Sequence, residues 1–374
     1  MIRKLLLAAF LLPTLALASA PQPPALIGRA WVLADLSSGQ LLATEKPDER
    51  FEPASLTKLM TAYLVFSALR AKKLTLEQRV TVTERAWRAP GSRMFLEPKH
   101  PATIEDLIRG MVVQSGNDAC IALAEAVAGS EDLFAQLMNR EAERLGLKST
   151  RFTNASGLPD PQHYSTARDL YLLAAALIRD FPQEYATYYS QREFRYNNIT
   201  QANRNRLLWL DPTVDGVKTG YTEAAGYCLI ASSRRGARRL LSVLLGSTSE
   251  STRAQESQKL LNWGFQFFDA VQLYAGGQAV KEIEVWKGAR PALKAGFRDA
   301  LVVTVPRGDA GKLKAELLAH SPLVAPVAQD ARVGVLRVSF EGRPLGEYPV
   351  VALEPVAAAG FLGRAWDTLR LWLQ

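Results

Sequence analysis

Apolar and polar positions change period several times along the chain, and the changes divide it. Ala30-Trp31-Val32-Leu33-Ala34 and Leu41-Leu42-Ala43 are apolar runs of strand length, with Ser37-Ser38-Gly39 making a hairpin between them. Leu56, Leu59, Met60, Leu64 and Val65 then recur at helical spacing, which predicts a helix from Ser55 to about Leu69, entered through Pro53. Residues 75–100 read as irregular, with a short strand at 79–82 and a loop at 91–95 that borders a cleft. Further helices are predicted over 104–111, 118–127, 132–145 and 166–178, with an interruption at 114–118 and a loop at 154–163. The stretch 195–208 is polar and Asn-rich and reads as loop, and Asp215-Gly216 reads as a turn. Strands at 227–232 and 239–245 flank the turn Arg235-Gly236, and a helix follows over 253–268. Strands, a block of helices, then strands and a helix describe one α/β domain whose sheet joins both ends of the segment.

From about Gln278 the period shortens. Ile283 and Val285 alternate with Glu282 and Glu284, Leu301, Val303 and Val305 alternate likewise, and 336–340 turns at 341–343 toward 348–353. This predicts a small all-β sandwich over 279–355 after a domain over 25–275, with the boundary in 276–281. In the last segment, 359–374, Phe361, Leu362, Ala365, Trp366, Leu369 and Leu373 share one helical face. A helix from Phe361 to the end rises about 21 Å, short of a hydrocarbon core of about 30 Å. An amphipathic helix lying in a membrane surface fits better than a span, and a terminal helix packed on the β module is the other reading.

Composition narrows the setting. The 374 residues are 48% hydrophobic and 22% charged, ordinary for one or two folded domains. The formal net charge of +8 suits an anionic partner such as a membrane surface or a wall polymer. Lys and Arg are dispersed, with no basic run interleaved with aromatics, so no nucleic acid is expected. Arg3 and Lys4 precede an apolar run from Leu5 to Leu17 and the small residues Ala18-Ser19-Ala20, which predicts a secretory signal peptide over 1–18. Outside the cytoplasm Cys120 and Cys228 are permitted a disulfide, but their spacing does not demand one, and two buried thiols is the favoured reading. His100, His163 and His320 stand in no ligand spacing, so no metal is expected. With so few histidines, lysine rather than a Ser-His-Asp triad supplies the candidate base.

Ser55 and Lys58 are three apart, so on a helix they share a face beside the partly positive N-terminus. A serine needs a base beside it to attack, and a lysine serves once desolvation lowers its pKa. Alone, the pair also reads as a helix cap followed by a surface lysine. Ser115-Gly116-Asn117 and Lys218-Thr219-Gly220 follow in order. Together the three resemble S-x-x-K, S-x-N and K-T-G, the motif set of the serine penicillin-recognising enzymes. The stretches EPASLTKLMTAY, QSGNDAC, YSTARDL, NRNRLLW, VDGVKTGYTEAAGY and LLNWGFQFF, with the β module and amphipathic tail, look more closely like one group. That group is the low-molecular-mass penicillin-binding proteins that are D-alanyl-D-alanine carboxypeptidases, the S11 peptidases.

The resemblance implies a β-lactamase/transpeptidase-like α/β domain, an antiparallel sheet flanked by helices, working without a cofactor. It implies Ser55 as nucleophile, Lys58 as base, and Ser115, with Lys218 nearby, relaying a proton to the leaving amine. Asn117, Thr219 and Gly220 would bind an extended substrate, and the N–H groups of Ser55 and Tyr221 would form the oxyanion hole. Arg253 would hold the terminal carboxylate, or else be a solvated arginine at a helix start. Asp169 would order a loop by pairing with an arginine such as Arg204, or else be an ordinary first-turn acid. Tyr221 departs from the pattern, since close relatives carry histidine after K-T-G. The implied partners are peptidoglycan stems ending in D-Ala-D-Ala, β-lactams as covalent inhibitors, and the outer face of the inner membrane, reached from the periplasm through the tail. A class A β-lactamase would need an E-x-x-L-N box, which is missing between Asn117 and Lys218. A D,D-endopeptidase and a tethered wall-binding scaffold with a decayed site are the alternatives.

Overall fold

The computed structural model describes residues 22–372, so the expected signal peptide lies outside the described residues. Its first sheet has five antiparallel strands in the order Gln40–Glu45, Ala30–Asp35, Arg238–Ser247, Gly226–Arg235, Val214–Thr222. The two ends of the segment thus meet in one sheet. Side chains alternate across its faces. Ala30, Val32, Ala34, Ile230, Leu241 and Val243 face a core shared with helices Lys58–Arg70, Asn117–Ala128 and Ala167–Asp180. Trp31, Leu33, Leu229, Leu240 and Leu244 face the opposite core, closed by Leu260, Leu261 and Trp263 of helix Glu250–Phe267. Both faces are covered, which is why these strands read as apolar runs rather than as alternation.

Three local expectations are corrected. Within 195–208, strands Glu193–Tyr196 and Ile199–Ala202 form a hairpin. Phe194 and Tyr196 alternate with exposed Glu193 and Arg195 and rest half-buried on the main core, but Ile199–Ala202 adds no apolar alternation, so the period is too short to mark a strand pair. Asp215-Gly216 is not a turn before the strand but part of strand Val214–Thr222, at a register shift beside Gly216. The last helix of the domain starts at Glu250, capped by the Ser249 hydroxyl, which accepts from Thr252 N.

Strand Phe268–Tyr274 continues directly from helix Glu250–Phe267 and pairs with Leu301–Pro306. A second five-stranded antiparallel sheet runs Ala279–Glu284, Ala292–Gly296, Arg343–Ala352, Arg332–Phe340, Leu313–Ala319. Ile283, Leu293, Val303, Val333, Leu336, Val338 and Val350 fill the core between the two layers. Helix Phe361–Trp372 touches this module with its polar side. Asp367 Oδ2 accepts from Lys287 N at 2.6 Å, and the Arg370 guanidinium stacks over Trp286. Phe361, Leu362, Trp366, Leu369 and Trp372 are left exposed.

Candidate active site

Ser55 lies in a 3-10 turn, Ala54–Thr57, that runs into the α-helix beginning at Lys58. The turn puts Lys58 Nζ 3.0 Å from Ser55 Oγ. Lys58 is buried, 1% exposed, and its Nζ also donates to Asn117 Oδ1 at 2.7 Å and to the Ser156 carbonyl at 2.6 Å. Both of those partners only accept, because Asn117 turns its Nδ2 to the Pro90 carbonyl. A neutral amine has two hydrogens and one lone pair. In the neutral form the two hydrogens would go to Asn117 and Ser156, leaving the lone pair to face the Ser55 hydroxyl. Burial is the main cause lowering the Lys58 pKa; Arg204 lowers it further, while Cys120 and Asp118 oppose the shift.

Ser115 follows the wide helical turn Gly110–Gln114 and takes a left-handed conformation, φ +66°, which ends that turn and aims its side chain into the cleft. Its Oγ accepts from Lys218 Nζ at 2.9 Å. Lys218 is buried as well, and its pKa lies well below the usual lysine value, first through burial and then through Lys58 and Arg204. Two buried amines thus flank the two serines. Thr219 and Gly220 sit on the edge strand of the sheet, whose outer edge faces the cleft. A Cβ on Gly220 would lie 3.2–3.3 Å from Leu56, Ala54 and Pro53, so this glycine lets the Ser55 turn close against the strand.

The Tyr221 side chain is half exposed and stacks on Tyr227, ring centroids 4.4 Å apart. Arg253 is buried beneath Tyr227 rather than solvated. Its contacts to the Gly220 carbonyl, the Arg204 carbonyl and Glu250 are long, 3.3–3.5 Å, so its guanidinium is weakly committed. The cleft has a volume of about 330 Å³. It is lined by Ser55, Ser115, Asn117, Thr219, Gly220, Tyr221 and Arg253, bringing those motif residues together. Asp169 is a correction: its Oδ2 accepts from Ser149 N and Thr150 Oγ1, both at 2.7 Å, and it takes no part in a pair with Arg204. Both cysteines are buried and free.

Sequence reasoning read 154–163 as loop but missed that this loop completes the site. Asn154 Oδ1 accepts from the N–H groups of Ser156, Gly157 and Leu158, which turns the Ser156 carbonyl toward Lys58. Gly157 has φ +84°, and a Cβ there would stand 1.8 Å from the Ala54 carbonyl oxygen. The glycine in Asn154-Ala155-Ser156-Gly157 was the available signal. Arg204, exposed at the cleft wall, was also missed as a group acting on both lysines.

The sequence profile of the peptidase S11 D-alanyl-D-alanine carboxypeptidases matches residues 17–249, and that of the penicillin-binding protein 5 C-terminal domain matches residues 268–358. The chain is 44% identical over 354 residues to D-alanyl-D-alanine carboxypeptidase DacC of Escherichia coli, covering 92% of this chain and 88% of that one. It is 40% identical over 359 residues to DacA of the same organism, covering 94% and 89%. Penicillin-binding protein 5 of Haemophilus influenzae superposes with a TM-score of 0.85 at 38% identity, over 90% of this chain and 99% of that one. Penicillin-binding protein D2 of Listeria monocytogenes, in its cefotaxime-bound form, superposes with a TM-score of 0.61 at 30% identity, over 66% of this chain and 100% of that one.

Proposed function

The chain belongs to the peptidase S11 family and is a D-alanyl-D-alanine carboxypeptidase; from that premise we propose that it cleaves peptidoglycan pentapeptide stems through an acyl-enzyme on Ser55. Lys58 takes the Ser55 proton as Oγ attacks the carbonyl between the two terminal D-alanines. The N–H groups of Ser55 and Tyr221 hold the oxyanion, each such donor contributing about 10²–10³ in rate. Ser115, bridged to Lys218, passes a proton to the leaving amine, D-alanine departs, and water hydrolyses the ester. The stem lies as an added strand along Val214–Thr222, with Asn117 donating to its backbone. Thr219 and Arg253 receive the terminal carboxylate. The observation that carries this reading is the Lys58 amine, with two fixed acceptors and its remaining position 3.0 Å from Ser55 Oγ.

The same geometry supports acylation of Ser55 by β-lactams, which would leave the ester in place of the stem's. The setting we propose is the periplasm, with export through the signal peptide over 1–18. Phe361, Leu362, Trp366, Leu369 and Trp372, exposed on one helix with Arg364 and Arg370, support docking on the outer face of the inner membrane. Vesicles containing anionic lipid should retain the full chain and release Trp366→Glu; equal retention of both would remove the anchor.

The deciding test is D-alanine release from a diacyl-lysyl-D-Ala-D-Ala peptide, with and without penicillin, beside Ser55→Ala. Release that penicillin blocks and Ser55→Ala abolishes is expected. A penicillin adduct on Ser55 without release would move the substrate toward cross-linked stems, and release by Ser55→Ala would end the proposal.

A further inference from the structure

His163 is buried, 3% exposed, and its hydrogen-bond partners Thr57 and Thr153 do not line the cleft, yet it joins the two segments that hold Lys58. Its Nε2 lies 2.8 Å from Thr57 Oγ1, in the turn that carries Ser55. Its Nδ1 lies 3.2 Å from Thr153 N and 3.1 Å from Thr153 Oγ1, at the start of the loop whose Ser156 carbonyl receives Lys58. A backbone N–H only donates, so Nδ1 is an acceptor and carries no proton. The proton therefore sits on Nε2 and is donated to Thr57. The ring is neutral in one tautomer, and both of its nitrogens are used.

We infer that His163 is a positioning residue for the reaction: as a neutral Nε2–H imidazole it clamps the Ser55 turn to the 153–158 loop, keeping Lys58 between Ser55, Asn117 and Ser156 and shut off from water. The surroundings agree. Phe152 packs edge-on against the ring at 5.7 Å, and Thr61 Oγ1 bonds the neighbouring Ala155 carbonyl at 2.6 Å. Glu131 Oε1 receives Ala155 N from the far side. The charged groups acting on the ring are Lys58 from the helix and Asp160 from its own loop. Burial, helped by Lys58 and opposed by Asp160, holds its pKa down at about 4. An imidazolium would offer a second donor where Thr153 N needs an acceptor, so protonation opens the loop side of the clamp.

This inference rests on Lys58 being the base, and the test separates the two. The rate of Ser55 acylation by a fluorescent penicillin is followed from pH 5 to 10 for the wild type, His163→Ala, His163→Gln and His163→Asn. Failure of the wild type to acylate would sink the proposed function itself. With the clamp gone, water reaches Lys58 and its pKa climbs, because burial is the first cause of its depression. The acid limb should move upward by about one pH unit or more in His163→Ala, and recover partly in His163→Asn, whose Oδ1 replaces the lost acceptor. Should His163→Ala not fold, His163→Gln, which keeps only the donor to Thr57, gives the same reading. An acid limb unmoved in the folded variants, even with lower thermal stability, would overturn the inference. So would a ring nitrogen spectrum at neutral pH with the proton on Nδ1.

Discussion

Lys58 is a lysine whose pKa burial lowers, and this has a measurable cost. In the unfolded chain its pKa is about 10.4, so that state binds a proton at neutral pH. In the folded chain burial lowers the pKa, so the folded state binds fewer protons and stability rises with pH through this group. The slope for one proton is at most about 1.4 kcal/mol per pH unit, and it acts between the lowered pKa and about 10. Lys58→Met, similar in length and without charge, removes that term. Urea unfolding of the two proteins from pH 7 to 10 should show the wild type gaining on the variant as pH rises. A constant difference would mean that Lys58 is charged in the folded state. Acylation by penicillin should fall about 10²–10⁴-fold in the same variant, the range a general base contributes. The motif residues were legible because their chemistry resides in their own side chains. The Ser156 carbonyl that completes the base was not, since every residue has a carbonyl and only the fold decides where it points. His163 was read only as a histidine outside any ligand spacing, and nothing in that spacing speaks of a clamp.

At the scale of elements, the site depends on how closely three pieces approach: the turn Ala54–Thr57, strand Val214–Thr222 and the 153–158 loop. Gly157 sets the closest approach. Its φ of +84° and the 1.8 Å distance from a built Cβ to the Ala54 carbonyl leave no room for a side chain. Gly157→Ala should therefore displace the Ser55 turn or the loop, lowering stability by about 3 kcal/mol or more and acylation by at least about 10-fold. Gly129 is the control: it caps helix Asn117–Ala128 at φ +81° with open space around it, so Gly129→Ala should cost only about 1 kcal/mol and spare acylation. Thermal unfolding and penicillin labelling of the two variants check the contrast, and similar losses in both would mean that φ alone matters. The sheet, the Ser55 helix and the helix block were legible because one or two buried faces imprint a period. The hairpin over 193–202 was not, because only Phe194 and Tyr196 of its first strand alternate toward the core and Ile199–Ala202 is polar or exposed, a pattern too short to stand out from loop.

Over the whole molecule, the decisive contact is a polar seam between the sheet domain and the β module. Asp35 ends strand Ala30–Asp35, fully buried, and accepts from Arg238 Nε at 2.7 Å and from Thr304 Oγ1 at 3.0 Å. Arg238 gives a second donor to the carbonyl of Phe268, the first residue of the module's opening strand. Gln40 closes the seam, donating to the Thr304 carbonyl and accepting from Thr304 N. One carboxylate is thus shared between both modules. Asp35→Ala leaves Arg238, with a side chain only 14% exposed, without its counter-ion, a change that costs about 3–5 kcal/mol. Thr304→Val removes only the module's hydroxyl and should cost about 1 kcal/mol. Because the lost pair lies at the junction, calorimetry of Asp35→Ala should separate the melting of the β module from that of the sheet domain, while Thr304→Val lowers the transition without splitting it. If Asp35→Ala melts as the wild type does, the seam is incidental and the modules are joined by strand Phe268–Tyr274 alone. If it splits, turnover measured below the first transition tells what the coupling is for. A soluble D-Ala-D-Ala peptide should be cleaved at the wild-type rate, since no seam residue lines the Ser55 cleft. Intact sacculi presented to vesicle-bound protein should be cleaved more slowly, because the domain is then no longer held in a fixed orientation above the helix that we propose docks on the membrane.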